Sequence, residues 1–119
     1  MPYLLMCCFD ETRWAQMPDA PQDPIMREYR ACLQGLVTSG HVRAGATLQP
    51  TAPSTTVREP PGQRITPDGP FAAPKEPLGG YHLVECRDLD EALAIVGRIP
   101  TLRVGGSIEV RPVVPPSQG

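Results

Sequence analysis

Residues 3–9, Tyr-Leu-Leu-Met-Cys-Cys-Phe, constrain this chain more than any other stretch. As an extended strand they place Tyr3, Leu5, Cys7 and Phe9 on one face and Leu4, Met6 and Cys8 on the other. Both faces are apolar. Such a strand is stable only where both faces are covered, so the sheet it joins must be layered on both sides.

The rest of the chain supplies one of those layers. Asp10 to Pro24 reads as a polar, proline-containing connection with one aromatic, Trp14. A helix follows over about Pro24 to Ser39, where Ile25, Tyr29, Cys32, Leu33 and Leu36 recur at helical spacing and Met26 and Val37 widen the stripe. Asp23 is placed to cap it, Pro24 suits the first helical position, and Ser39-Gly40 stops it. Val42 to Leu48 is a glycine- and alanine-rich strand. Ser54 to Arg58 and Arg64 to Thr66 form the arms of a short hairpin around Glu59-Pro60-Pro61-Gly62. Gly80 to Cys86 is a strand with Tyr81, Leu83 and Glu85 on one face and His82, Val84 and Cys86 on the other. Asp88-Leu89-Asp90-Glu91 has the form of a capping box. It opens a second helix whose stripe is Leu89, Ala92, Leu93 and Val96, ended by Gly97 and Pro100. Ser107 to Val113 is the last strand, with Ile108 and Val110 opposite Glu109 and Arg111.

This order is the ferredoxin-like βαββαβ layout with an extra hairpin, an α+β fold of one domain over residues 1–114, with 115–119 as a disordered tail. Both helices of such a fold cover the same face of the sheet. The first strand then requires a cover on the other face. A second copy of the chain, sheet against sheet, is the simplest one, so a homodimer is expected.

Composition excludes several classes of function. With 119 residues, 40% hydrophobic and 20% charged, the chain is sized for a single globular domain. The formal net charge of −2 argues against nucleic acid as a partner. The longest apolar run, Leu4 to Phe9, is too short to span a membrane, and no signal-peptide pattern is read, so a cytoplasmic location is expected. The four cysteines, Cys7, Cys8, Cys32 and Cys86, lack Cys-x-x-Cys or Cys/His metal spacing. They read as free, mostly buried thiols in a reducing compartment. Gly79-Gly80 precedes a strand rather than a helix, so it is not a phosphate loop. No cofactor or metal is expected.

One segment fits no regular element. Thr66 to Leu78 carries four prolines and the only lysine of the chain, Lys75, directly before a core strand. Asp68-Gly69-Pro70-Phe71-Ala72, then Lys75-Glu76, then Leu78-Gly79-Gly80-Tyr81 resembles the signature of the YCII-related proteins, DGPF subgroup. Asp10-Glu11 before Trp14, Leu48-Gln49-Pro50, Asp90-Glu91-Ala92 with Ile99-Pro100, and Glu109-Val110-Arg111-Pro112 resemble further landmarks of that family, so the likeness runs along nearly the whole chain. Ala73-Pro74 departs from the usual Glu-Thr, and His82 replaces a more usual aromatic or apolar residue. The resemblance implies a dimeric α+β barrel. It also implies either a lyase, isomerase or dehydrohalogenase-like activity with a His-Asp acid–base pair, or a regulatory setting, since DGPF proteins are associated with extracytoplasmic-function sigma factors.

Two functional readings stay open. In one, the protein is a non-catalytic dimer binding a small organic ligand in a cleft near the Asp-Gly-Pro-Phe loop. Lys75, Glu76, Tyr81 and Phe71 are its candidate ligand-binding residues. In the other, Asp68 and His82 are catalytic, the carboxylate acting as general base or orienting the imidazole. Each candidate also has a structural reading. Asp68 suits an Asx-turn, Lys75 and Glu76 suit solvated loop charges, His82 suits a satisfied half-buried histidine, and His41 suits a cation at a helix end. Met6, Met26 and Tyr29 read as core.

Overall fold

The computed structural model describes residues 1–16, 19–58, 63–65 and 76–114. The elements run β1 (Pro2–Cys8), α1 (Glu11–Ala15), α2 (Asp19–Thr38), β2 (Val42–Thr47), β3 (Thr56–Arg58), β4 (Gln63–Ile65), β5 (Leu78–Glu85), α3 (Leu89–Val96), a 3₁₀ helix (Pro100–Val104) and β6 (Ser107–Pro112). Four strands form an antiparallel sheet in the order β2-β5-β1-β6, and β3 and β4 pair as a separate hairpin. This is the ferredoxin-like α+β arrangement with an inserted hairpin. The tail at 115–119 and the turn at 59–62 lie outside the described residues.

The register sorts the side chains of the sheet. Leu5 pairs with His82 and Val110, and Tyr3 with Val84, so these residues share the face that α2 and α3 cover. Tyr3, Leu5, Tyr29, Leu36, Val84, Cys86, Ala92, Ile95 and Ile99 are the buried core on that side. On the other face Leu4 pairs with Leu83, Met6 with Tyr81, and Ala44 and Ala46 with the same two β5 residues. Within one chain this second apolar strip is only half covered: Leu4, Met6, Tyr81 and Leu83 are all intermediate in burial.

Helix α2 starts at Asp19, five residues before the Pro24 expected as its first position. The sequence rule fails because proline is tolerated at more than one place near a helix start. Pro21 falls in the first turn, whose N–H groups have no helical acceptor. Pro24 lies inside the helix and forgoes one backbone bond. The helix ends as its sequence indicates. Gly40 takes φ 82°, and the N–H groups of Gly40 and His41 donate to the carbonyls of Val37 and Leu36 at 3.0 Å each.

Helix α3 is rotated from the stripe expected for it. Ala92 and Ile95 are buried, whereas Leu89 and Leu93 are 47% and 49% exposed. Ile99 and Pro100, just past the helix, complete the buried side. Those two residues tilt the choice of face, because burying them fixes how the preceding helix lies. The capping box is offset in the same region. Asp88 accepts from the Glu91 N–H at 2.9 Å, but the Glu91 carboxylate accepts from Arg87 N–H, one residue before the cap. Asp10 to Pro24, read as a connection, contains the short helix α1, opened by Asp10 accepting from Arg13 N–H at 3.1 Å.

Candidate functional site

The site is built where β1 and β2 end and β5 begins. Phe9 leaves β1 and donates its N–H to the Pro77 carbonyl at 3.2 Å, while Leu48 at the end of β2 donates to the Gly79 carbonyl at 2.8 Å. Gly79 makes room for Phe9: a Cβ at position 79 would lie 1.9 Å from a Phe9 ring carbon. Thus one glycine of the Leu78-Gly79-Gly80 run serves to seat an aromatic ring against the sheet. Trp14 on α1 meets Phe9 edge to face, with centroids 6.1 Å apart at 63°. Glu11 fastens α1 to the segment after β2. Its two carboxylate oxygens accept from Thr51 N–H at 2.9 Å and Thr51 hydroxyl at 2.8 Å.

These pieces enclose a cavity of about 690 Å³. Phe9, Trp14, Met26 and Leu48 make its apolar walls, and Tyr29 and Cys7 lie at the wall toward the core. That volume falls in the roughly 300–1,000 Å³ span of small-molecule sites, as does the mostly apolar lining. No arginine, lysine or histidine among the described residues lines it, and its one charged lining group is Glu11, whose oxygens are held by Thr51.

Behind the cavity wall stands a buried polar pair. The Tyr29 hydroxyl and His82 Nε2 are 2.6 Å apart, joining α2 to β5. His82 is 4% exposed, and burial pushes its pKa below the ordinary value, which keeps the imidazole neutral. Its Nδ1 side faces Gly45 on β2, where any Cβ would come within 2.6 Å of that nitrogen. Beyond Gly45 lies a second, shallower groove of about 400 Å³ that His82 also lines. The Cys7 thiol sits beside the Tyr29 hydroxyl. Burial pushes Cys7 up to about 11, and burial together with Cys7 raises Tyr29 further. Both groups therefore stay protonated at neutral pH, and Cys7 is a poor nucleophile.

The sequence candidates that the structure describes, Glu76, Tyr81 and His82, do not come together at one place. Asp68, Phe71 and Lys75 lie outside the described residues. Tyr81 and His82 are successive residues of β5 on opposite faces: His82 faces the helices, and Tyr81 sits on the half-covered strip. Tyr81 does not line the cavity. Glu76 accepts from the Ser107 hydroxyl at 2.8 Å, tying the chain before β5 to the start of β6. His41, at the end of α2, is held by the Ser39 hydroxyl at 2.7 Å and lies 3.8 Å from Glu91 on α3. All four cysteines are free, as their spacing indicates. Among the described residues no group of three His, Cys, Asp or Glu is placed to hold a metal ion. Phe9, Trp14, Met26, Tyr29 and Glu11 were not singled out as site residues by sequence. The one usable signal was Trp14, a large aromatic in an otherwise polar stretch, since a side chain that size has to be covered by other parts of the fold.

The fold and the cavity define a small α+β domain with a ferredoxin-like sheet and one end opened as a small-molecule-sized pocket. The chain belongs to the YCII-related domain family, whose model matches residues 1–117. It is 35% identical over 114 residues to a protein of Rhizobium meliloti (strain 1021) described as uncharacterized, an alignment covering 95% of this chain and 92% of that protein.

Proposed function

We propose that this YCII-related protein is a homodimer that takes up a small, neutral, largely apolar organic molecule in the cavity beside Trp14. The observation that carries this reading is the cavity itself: about 690 Å³, walled by Phe9, Trp14, Met26 and Leu48, and free of arginine and lysine among its described lining. Apolar surface left concave and half open gains by excluding water around a fitting ligand. The dimer rests on the half-covered strip of Leu4, Met6, Tyr81 and Leu83, which a second sheet would bury. A ligand that binds only the folded state raises the melting temperature with its concentration. Indane, a nine-carbon bicyclic hydrocarbon, is expected to do so up to its solubility limit. An unchanged melting temperature with indane and with its hydroxylated and keto forms would remove the reading.

A catalytic alternative is supported by one contact. His82 meets the cavity wall through the Tyr29 hydroxyl at 2.6 Å, so an acid–base step there would reach the ligand by way of Tyr29. Asp68 is the carboxylate this alternative assigns. If a turnover is found, Asp68→Asn is expected to lower kcat by at least about a hundredfold. An unchanged kcat would leave Asp68 as a turn residue.

A further inference from the structure

The polar lining of the cavity is not uniform. Thr12, Gln16 and Thr47 are exposed, Thr101 is half-buried, Glu11 is spent on Thr51, and Tyr29 alone among the described hydroxyl-bearing groups of the wall is buried, at 7% exposure. A buried hydroxyl at a pocket wall selects, because a ligand atom pressed against it either pairs with it or loses its water without replacement. Tyr29 has one proton and two lone pairs to offer; His82 engages one of these at 2.6 Å, the Cys7 thiol beside the phenol can engage a second, and one is left over.

The histidine decides which capacity remains. A neutral imidazole accepts at Nε2 in one tautomer and donates there in the other. When Nε2 accepts, the Tyr29 proton points to His82 and the free lone pair of the phenol can receive a ligand O–H. When Nε2 donates, the phenol proton is freed from His82 and can serve a ligand C=O in competition with the Cys7 sulfur. Neither arrangement buries a net charge. A carboxylate or phosphate would need a compensating cation, and none is present among the described lining residues.

Resting on the ligand-binding reading above, we infer that the cavity is a site for a neutral ring compound bearing one hydroxyl or ketone oxygen, which the Tyr29 hydroxyl, held by His82, anchors at the inner wall. Tyr29 is the specificity-determining residue, and His82 is a positioning residue that acts through it.

A matched series tests this by calorimetry: indane, 2-indanol, 2-indanone and 2-indanecarboxylate share one carbon frame. With the wild-type protein the alcohol and the ketone are expected to bind at least as tightly as indane, and the carboxylate more weakly than either. Tyr29→Phe is expected to keep indane binding and to weaken the alcohol and ketone relative to indane by roughly three- to tenfold. The wild-type series decides even if that variant does not fold. An alcohol and ketone binding roughly tenfold or more below indane would show an unpartnered oxygen and overturn the inference, while leaving the cavity reading standing. A carboxylate that binds tightest, or a ratio unchanged by Tyr29→Phe, also overturns it. Binding of none of the four would overturn both readings together.

Discussion

His82 and Leu83 are neighbours in β5, yet they stand in different kinds of surroundings. The face that carries His82 is closed by the chain's own helices along most of its length, with Leu5 and Val84 reaching 0% exposure. Among the described residues it opens at one end into a concave space of small-molecule size and, beside Gly45, into the shallower groove. The face that carries Leu83 is open along the sheet, a strip of half-covered apolar side chains with Glu109 and Arg111 paired at its β6 side. A local, concave gap suits a small ligand. A broad strip suits another sheet. One strand therefore presents two differently shaped surfaces through the two-residue alternation of its side chains.

The sharpest way to break this comparison is to substitute one leucine on each face. Leu5→Ala, on the closed face, is expected to cost about 2–5 kcal/mol in denaturant unfolding. Leu83→Arg, on the open face, is expected to leave secondary structure by circular dichroism intact and to convert a dimer to a monomer in light scattering at micromolar concentration. A monomeric wild type would contradict the assignment of the open face.

The next effect concerns the gap itself. Gly79→Ala drives a methyl into the Phe9 ring, which has to leave its seat. A destabilisation of about 1–3 kcal/mol is expected, with loss of indane binding. A variant that kept both stability and binding would show that the Phe9 wall is not needed.

His82 adds a pH dependence to the helix-covered face. Its folded-state pKa lies below the ordinary 6.5. The unfolded chain therefore takes up a proton first as pH falls, and the stability due to the neutral imidazole, complete above 6.5, is lost as pH drops from there through the folded value. Melting temperature is expected to decline on going from pH 7 toward pH 5, and His82→Gln to flatten that decline. Glu91, whose pKa is lowered chiefly by the Arg87 backbone N–H, acts in the same direction but only below its ordinary 4.5. An identical decline in His82→Gln would assign the slope to other groups.

The smallest effect is expected on α3. Leu93, 49% exposed, belongs to neither surface within one chain, so Leu93→Glu should shift stability by less than about 0.5 kcal/mol. A large loss there would mean that the Leu89 and Leu93 edge is covered in solution.

The frame of the molecule was legible in the sequence because its signals are local. The alternation in β1, β5 and β6, the glycine stop of α2 and the Asp88 cap each involve neighbours in the chain, and each stands within two residues of where it was read. What misled was competition between local and distant demands. Leu89 and Leu93 fit a buried stripe by spacing, but the burial of Ile99 and Pro100 turned α3 toward Ala92 and Ile95. The candidate site was less legible still. Tyr29 and His82 are 53 residues apart, and nothing in either segment announces the contact; Tyr29 reads as an ordinary member of a helical stripe. Glu11 on Thr51 and Phe9 over Gly79 are likewise products of chain crossing.

The most direct test of the account follows Trp14, the one tryptophan in the chain and a wall of the cavity. Its fluorescence should be followed as 2-indanol is added to the wild-type protein. The account predicts a saturable change in emission with one site per chain, lost or displaced in Gly79→Ala. A strictly linear response up to the solubility limit, with no saturation, would contradict it.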